Sequence, residues 1–351
     1  HSNYADMCPL SSHYPLRENG IHVYPRQPRY PRMLIYDLLK PFGYRTAVFS
    51  SQNENWGQMI NYLSTSHLDH LLHADSYTGP TYVCPEDVGF FEWVQGGKKC
   101  GKIDDRLTIQ EAIRWIEKDV NKPFCMYVNL QNSHIPYVVP PDFPRRFSKS
   151  APDFAIGFNS FPEEKIDQVR NAYSDSLAYV DHQIGRFVNY LKSSGQWDRT
   201  VLVVSGDTGQ AFKEHGFSAH ANKLYEEVMR VPLIIHAPQV QPTRDERLAQ
   251  HVDVPPTVLT LLDLPAHPSF QGRSLIGEPN PQAPVFLVVQ SPLADQVALV
   301  QGDLKLIYDL PTQRFHLYDL GADPHERLDI AGQSPEVTQK MAVVLRKWCQ
   351  L

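Results

Sequence analysis

The sequence predicts an α/β fold organised on a mostly parallel sheet. Val201–Val204 is a short continuous apolar run, the pattern of a strand covered on both faces. Pro123–Leu130 (PFCMYVNL) repeats that pattern. Amphipathic helical stretches accompany these runs. Residues 105–119 carry Leu107, Ile109, Ile113 and Ile116 at helical spacing, and residues 163–193 carry Tyr173, Leu177, Val180, Ile184, Phe187 and Leu191.

In order along the chain, Met33–Leu39 reads as a short amphipathic helix. Gly43–Phe49 (GYRTAVF) reads as a turn followed by a strand. Residues 66–104 are irregular, with His67, His70 and His73 close together, a spacing that suits half-exposed positions better than a metal trio. Pro162 opens the helix at 163–193 and Gly195 closes it. The strand at Val201 then breaks into Ser205-Gly206-Asp207-Thr208-Gly209. Two glycines bracket a carboxylate, so the backbone can turn sharply and present Asp207 at the strand's C-terminal end. Ligands of open α/β sheets sit at such ends. Glu214, His215, His220 and Lys223 follow before a second apolar strand, Val231–Ile235. An acid, two imidazoles and an ammonium between two strands suit a metal and an anion. After Pro238, a helix begins near Pro255-Pro256. Residues 284–290, 297–301 and 304–309 form a small antiparallel sheet, and a helix at 335–348 packs through Val337, Met341, Val344 and Leu345.

Composition excludes several classes. With 42% hydrophobic and 21% charged residues, the 351-residue chain falls among soluble globular proteins. A net charge of −6 implies no broad basic surface, so nucleic acid is not an expected partner. The sequence contains no apolar run of 18 residues. The five cysteines (Cys8, Cys84, Cys100, Cys125 and Cys349) form no Cys-x-x-Cys pair and no zinc spacing. Cys84 and Cys100 flank an excursion that an oxidising compartment would let them close, and free thiols are the other reading.

The stretch SGDTGQAFKEHG, followed by HANKLYEEVMRVPLII, resembles the C-terminal signature of the sulfatase branch of the alkaline phosphatase superfamily. Further stretches are similar to that family in the same order along nearly the whole chain: GYRTA at 43–47, a His-x-Pro at His134-Ile135-Pro136, YSDSLAYVDHQIG on the long helix, GRSL at 272–275 and LYDLGADPHE at 317–326. The resemblance implies an alkaline-phosphatase-like sandwich, with helices on both faces of the central sheet. It implies a sulfatase-like domain over 1–280 and a C-terminal subdomain over 281–351. It also implies a strand, ending in metal-binding aspartates, that would precede His1.

The implied activity is metal-dependent hydrolysis of a sulfate or phosphate ester on a small molecule or glycan. The nucleophile of the family lies in Cys/Ser-x-Pro-Ser-Arg ahead of a Tyr-Pro turn. Here the turn is Tyr14-Pro15, and counting back twelve gives Ser2, the catalytic nucleophile by register, with Cys8 as its rival. Tyr4, Ala5 and Asp6 stand where the family has Pro, Ser and Arg. Asp207 and Thr208 take the metal-ligand positions, Thr208 where histidine or asparagine is usual. Oxygen donors suit Ca²⁺ first, then Mg²⁺ or Mn²⁺. His134 takes the role of acid or anion contact, and His220 or Lys223 neutralises the transferred group. His215, Asn53 and Arg273 are substrate-binding candidates. Ser51 and Asn53 stand where many family members carry a sulfate-binding lysine and histidine. Three functions follow: a sulfatase-like hydrolase, a phosphoryl or phosphoethanolamine transferase or phosphodiesterase with a serine nucleophile, and a non-catalytic binding protein on the same fold. The expected setting is periplasmic, extracellular or membrane-anchored, with any anchor upstream of residue 1.

Overall fold

The structure is a computed structural model that describes residues 5–14, 24–26, 32–82, 101–158, 161–291 and 294–349. The chain divides into two compact units, 23–200 and 1–22 with 201–351. The second unit opens with a helical turn, α1 (Cys8–Ser11).

In the 23–200 unit the elements are α2 (Ile35–Leu39), β1 (Arg45–Ser50), α3 (Met59–Leu63), β2 (His70–Leu72), α4 (Asp105–Glu117), β3 (Phe124–Asn129) and α5 (Ile166–Ser193). The strands make a parallel sheet in the order β2-β1-β3. Phe49 pairs with Val128 and Ser50 with Asn129, so β1 and β3 end level with each other. The core joins Ala47 and Phe49 to Ile109, Ala112, Trp115 and Ile116 of α4 and to Phe187 and Leu191 of α5. Asp104 caps α4 by accepting the Arg106 amide at 2.9 Å. At the other end, the Arg45 guanidinium donates to the carbonyls of Trp115, Ile116 and Asp119 around the helix C-terminus, and lies 4.1 Å over the Trp115 ring.

The long helix turns a different face inward from the one its apolar spacing predicts. Its buried residues are Val169, Ala172, Asp175, Ser176, Tyr179, Gln183, Phe187 and Leu191, whereas Leu177 is 42% exposed. Polar partners decide the rotation. Asp175 accepts the amides of Arg146, Phe147 and Ser148, fastening the 146–148 segment to the helix.

The other unit carries β4 (Leu202–Ser205), β5 (Ala211–Phe212), β6 (Ser218–Ala219), α6 (Glu226–Met229), β7 (Leu233–His236) and α7 (Val254–Leu261). These are followed by β8 (Val285–Ser291), β9 (Ala294–Gln301), β10 (Leu304–Asp309), β11 (Arg314–Asp319) and α8 (Pro335–Cys349). The last four strands form an antiparallel meander, β11-β10-β9-β8. Val297, Leu299, Leu306 and Leu317 on one face pack against Met341, Ala342 and Leu345 of α8. Val289, Ala298, Ile307 and Tyr318 pack with Leu224. The meander therefore shares a unit with 201–280. β4 pairs antiparallel with β7 and is half-buried, although its apolar run predicts a strand sealed on both faces of a parallel sheet. A run of apolar residues specifies a strand without specifying its neighbour, and the 27-residue return from Ser205 to Pro232 supplies one. No helix among the described residues is long and apolar enough to cross a membrane.

Candidate active site

Two clusters form at strand C-termini, one in each unit. In the 23–200 unit, β1 runs into Ser51-Gln52-Asn53-Glu54 and β3 into Leu130-Gln131-Asn132, and all of these but Leu130 are buried. Asp105, the first residue of α4, closes the gap between them. Its carboxylate accepts the Gln131 and Asn132 amides at 2.8 and 2.9 Å and the Ser51 hydroxyl at 2.6 Å. Its own amide donates to the Asn132 side chain at 2.8 Å. Burial pushes the Asp105 carboxyl up to about 6 against these hydrogen bonds. Glu54 is also fully buried and held above the usual carboxylate range by desolvation, partly offset by Ser50, Gln52 and Asn129. Asn53, a substrate-binding candidate, is 2% exposed and accepts the Asn55 amide at 3.1 Å, which fixes the turn.

His134 follows this cluster. Its Nδ1 lies 2.9 Å from the Lys102 ammonium and 2.8 Å from the Ile135 carbonyl. Lys102 is 5% exposed and His134 half-buried, with Phe158 beside the ring. The three histidines at 67, 70 and 73 do not converge. His67 faces Asp37 at 3.3 Å, His70 packs on Phe49 and Trp115, and the His73 Nδ1 accepts the Glu54 amide at 3.2 Å.

In the other unit, Asp207 and Thr208 stand half-buried on the turn after β4. The turn is backed by His251, whose Nε2 donates to the Gly206 carbonyl at 2.8 Å. Burial lowers the His251 pKa, an effect opposed by that carbonyl and by the charge of Asp207. Gly209 is required for close approach: a Cβ there would lie 2.2 Å from the Glu227 carbonyl oxygen. Its amide donates to the Val228 carbonyl at 2.7 Å.

The remaining candidates in this unit have structural partners. His215 stacks on Tyr225 with ring centroids 3.8 Å apart, and its Nδ1 lies 2.7 Å from the Glu227 carboxylate. Its Nε2 lies 3.3 Å from the Glu326 carbonyl. His220 is buried with Nδ1 3.0 Å from the Gln210 side-chain oxygen. Lys223 is half-exposed and 3.9 Å from Asp309. The Arg273 guanidinium donates to the Leu248 carbonyl at 3.0 Å, and its amide is held by Asp253 at 2.8 Å. The neighbouring Gly272 passes so close to Val252 that a Cβ would meet its carbonyl oxygen at 1.8 Å.

Ser2, Cys84 and Cys100 lie outside the described residues. Cys8 is buried on α1, and burial pushes its thiol up to about 12, far from the thiolate a nucleophile needs. Among the described residues, no three His, Cys, Asp or Glu side chains gather at one point. Asp207 alone offers one carboxylate, and a hard divalent cation takes six or more oxygens. The described residues of neither unit, taken alone, make a cation site, so no chemical step is built on one. Sequence reasoning missed Lys102, Asp105, Asp175 and His251. Only His251 carried a signal, standing just ahead of the helix that begins near Pro255-Pro256.

A profile described as Sulfatase matches residues 7–264. The chain belongs to the sulfatase family. That family generally uses a divalent cation. The chain is 26% identical over 294 residues to an N-acetylgalactosamine-6-O-sulfatase of Bacteroides thetaiotaomicron, covering 72% of this chain and 53% of the relative. It is 30% identical over 186 residues to an N-acetylglucosamine-6-O-sulfatase of the same organism, covering 48% of this chain and 33% of the relative. The chain thus spans about half or less of these sulfatases. The fold matches a solved structure in complex with its substrate D-glucosamine-2-N,6-O-disulfate, with a TM-score of 0.71, 18% identity and coverage of 100% and 88% of the two chains. It also matches the phosphonate monoester hydrolase of Agrobacterium radiobacter, with a TM-score of 0.70, 16% identity and coverage of 99% and 86%. The α/β sandwich with a parallel central sheet and a small antiparallel sheet at the C-terminus, expected from sequence, is the fold of these proteins.

Proposed function

We propose that the chain hydrolyses sulfate esters of small molecules or glycans, with a 6-O-sulfated amino sugar as the first substrate class to test. The observation that carries this reading is the Asp207-Thr208 turn. It keeps a carboxylate half-buried at a strand's C-terminal end, backed by His251, in the part of the chain most similar to the sulfatase signature. The 6-O-sulfatases of Bacteroides thetaiotaomicron named above support the choice of substrate.

Each residue has one task in this reading. His134 donates a proton or hydrogen bond to the ester oxygen, a role worth about 10²–10⁴-fold in rate. Lys223 and His220 offset charge on the transferred group. Asp207 and Thr208 offer oxygen donors to a divalent cation, Ca²⁺ by their hardness, together with carboxylates that the described residues do not supply. Ser2 is the nucleophile by its spacing from Tyr14-Pro15.

A phosphate-ester or phosphodiester substrate is the second reading, favoured by the fold match to a phosphonate monoester hydrolase. The test is turnover of N-acetylgalactosamine 6-sulfate, N-acetylglucosamine 6-sulfate and an aryl phosphate diester by the protein with Ca²⁺, compared with Asp207→Ala. Sulfate release that falls at least a hundredfold in the variant supports the proposal. Release of phosphate alone moves the assignment to the second reading. No turnover of any ester by the metal-loaded protein, with each ester still bound, leaves the binding protein as the function.

A further inference from the structure

Lys102 stands beside the end of β1. At the end of β1, Ser51 and Asn53 are both sealed inside. The Ser51 hydroxyl is shared between Asp105 and Thr108 at 2.6 and 2.7 Å. Asn53 is 2% exposed. A cation nevertheless reaches this strand end from elsewhere in the chain. The Ile103 amide donates to the Ser51 carbonyl at 2.8 Å, laying the 102–103 backbone alongside Ser51. Lys102 pairs with Tyr82 in a short antiparallel bridge. From that anchored position its Nζ comes to 2.9 Å from Nδ1 of His134.

The same Nδ1 lies 2.8 Å from the Ile135 carbonyl oxygen, and one ring nitrogen cannot serve both neighbours in a neutral imidazole. Toward Lys102 it must present a lone pair, because an ammonium has only donors. Toward Ile135 it must present a proton. The two alternatives differ in cost. A proton on Nδ1 would set an N–H against an ammonium, two donors facing each other. A lone pair on Nδ1 leaves only a dipole repulsion with a carbonyl and gains a charge-assisted hydrogen bond, roughly twice as strong as a neutral one.

We propose that Lys102 is the positioning residue that sets the tautomer of His134. With Lys102 in place, the lone pair is on Nδ1 and the proton on Nε2, so the ring offers an N–H to an anionic ester. Without it, Nδ1 takes the proton to bond the Ile135 carbonyl, and Nε2 offers a lone pair that repels the same ester. The catalytic consequence rests on the ester-hydrolase reading above, whereas the tautomer does not.

The test is ¹⁵N–¹H multiple-bond NMR on protein labelled at histidine, with the His134 ring assigned by its loss in His134→Asn. The unliganded wild type should show the Nε2–H form, Lys102→Met the Nδ1–H form, and Lys102→Arg, which keeps a donor-only cation, the Nε2–H form again. A wild-type Nδ1–H ring overturns the proposal even where Lys102→Met fails to fold, and so does an Nε2–H ring that persists in folded Lys102→Met. On a sulfate ester that the wild type turns over, Lys102→Met should lower kcat by about 10²–10⁴-fold with a smaller change in KM, and Lys102→Arg should recover most of the loss. A tautomer that follows Lys102 in a protein that hydrolyses no ester supports this inference and counts against the hydrolase reading.

Discussion

The cluster beyond β1 and β3 and the turn beyond β4 occupy the same kind of place in their respective units, the C-terminal end of a strand, and are assembled in opposite ways. Around Asp105, both carboxylate oxygens are occupied, every neighbour from Ser51 to Glu54 is buried, and the hydrogen bonds reach across 26 or more residues of sequence. Around Asp207, the carboxylate is half-buried and the turn is fastened through backbone, by His251 to Gly206 on one side and by Gly209 to Val228 on the other. The first arrangement spends its polar groups on the fold. The second fastens the main chain at Gly206 and Gly209, and the Asp207 side chain takes no part in those two ties. The stretch that resembles the family signature begins at the turn, whereas Ser51 and Asn53 of the cluster depart from the resemblance.

The loop that begins at Asp207 is also anchored at its far end, which gives the largest expected effect. Lys305 is fully buried, with its ammonium 2.8 Å from Glu226 and 2.9 Å from Glu326. Glu326 in turn accepts the Glu226 amide at 2.6 Å. Lys305→Met removes the cation and leaves the buried Glu326 without it, at a cost of about 3–5 kcal/mol. Urea denaturation of the variant should show that loss. A change below about 1 kcal/mol would mean that the α6 end of the loop is no better fixed than its turn, and the contrast between an anchored end and an open end would disappear.

Asp105 gives the next effect. Asp105→Asn keeps the shape but turns an NH₂ toward donors, stranding one of the Ser51, Gln131 or Asn132 groups, for a loss of about 2–3 kcal/mol at pH 7. It also has a pH signature whose sign is fixed. Burial raises the folded carboxyl from 3.8 to about 6, so the folded protein holds this proton more tightly than the unfolded chain. The stability from Asp105 is complete below about pH 4, falls as pH rises to 6, and is level above, a drop of about 3 kcal/mol at 1.36 kcal/mol per unit. Asp69, Asp175, Asp309 and Asp329, with lowered pKa values, act in the opposite sense at lower pH. The difference between wild type and Asp105→Asn cancels them. A difference that stays constant from pH 4 to 7 would place the Asp105 titration outside that window.

These two residues mark how far the sequence could be read. Buried strands and amphipathic helices follow local rules, so α4, α5, β3 and strands β8 to β10 of the meander lie within a few residues of where periodicity puts them. Polar partners are not local. Asp105 reads as an ordinary first-turn acid of a helix until Gln131 and Asn132 arrive from the end of β3. Asp175 sits one face away from the apolar stripe of α5, and its three backbone amides come from residues 146–148, so no helical period reveals that it faces inward. Lys102 falls in a stretch with no periodicity at all. The same limit applies to His215, which stands in the family-like GlnAlaPheLysGluHisGly stretch yet has both ring nitrogens near partners of its own unit. A motif identifies a segment of chain, and only packing tells which of its side chains remain available.

Asp207→Ala is the smallest expected effect on stability and the one that separates the two arrangements most directly. The carboxylate is half-buried, and the turn's ties to His251 and Val228 run through the Gly206 carbonyl and the Gly209 amide, which the substitution leaves in place. Deleting the side chain should therefore change unfolding free energy by no more than about 0.5 kcal/mol, the range of substitutions that break no buried network. The His251 ring would lose a stabilising negative charge, so its already lowered pKa should fall further, readable as a shift in its ¹H NMR titration. A destabilisation of 2 kcal/mol or more would make Asp207 a structural acid like Asp105. The open strand end would then be a second closed one, and a cation or ester would have to bind elsewhere. A neutral effect on folding with loss of ester turnover would mean that this turn keeps its carboxylate for chemistry.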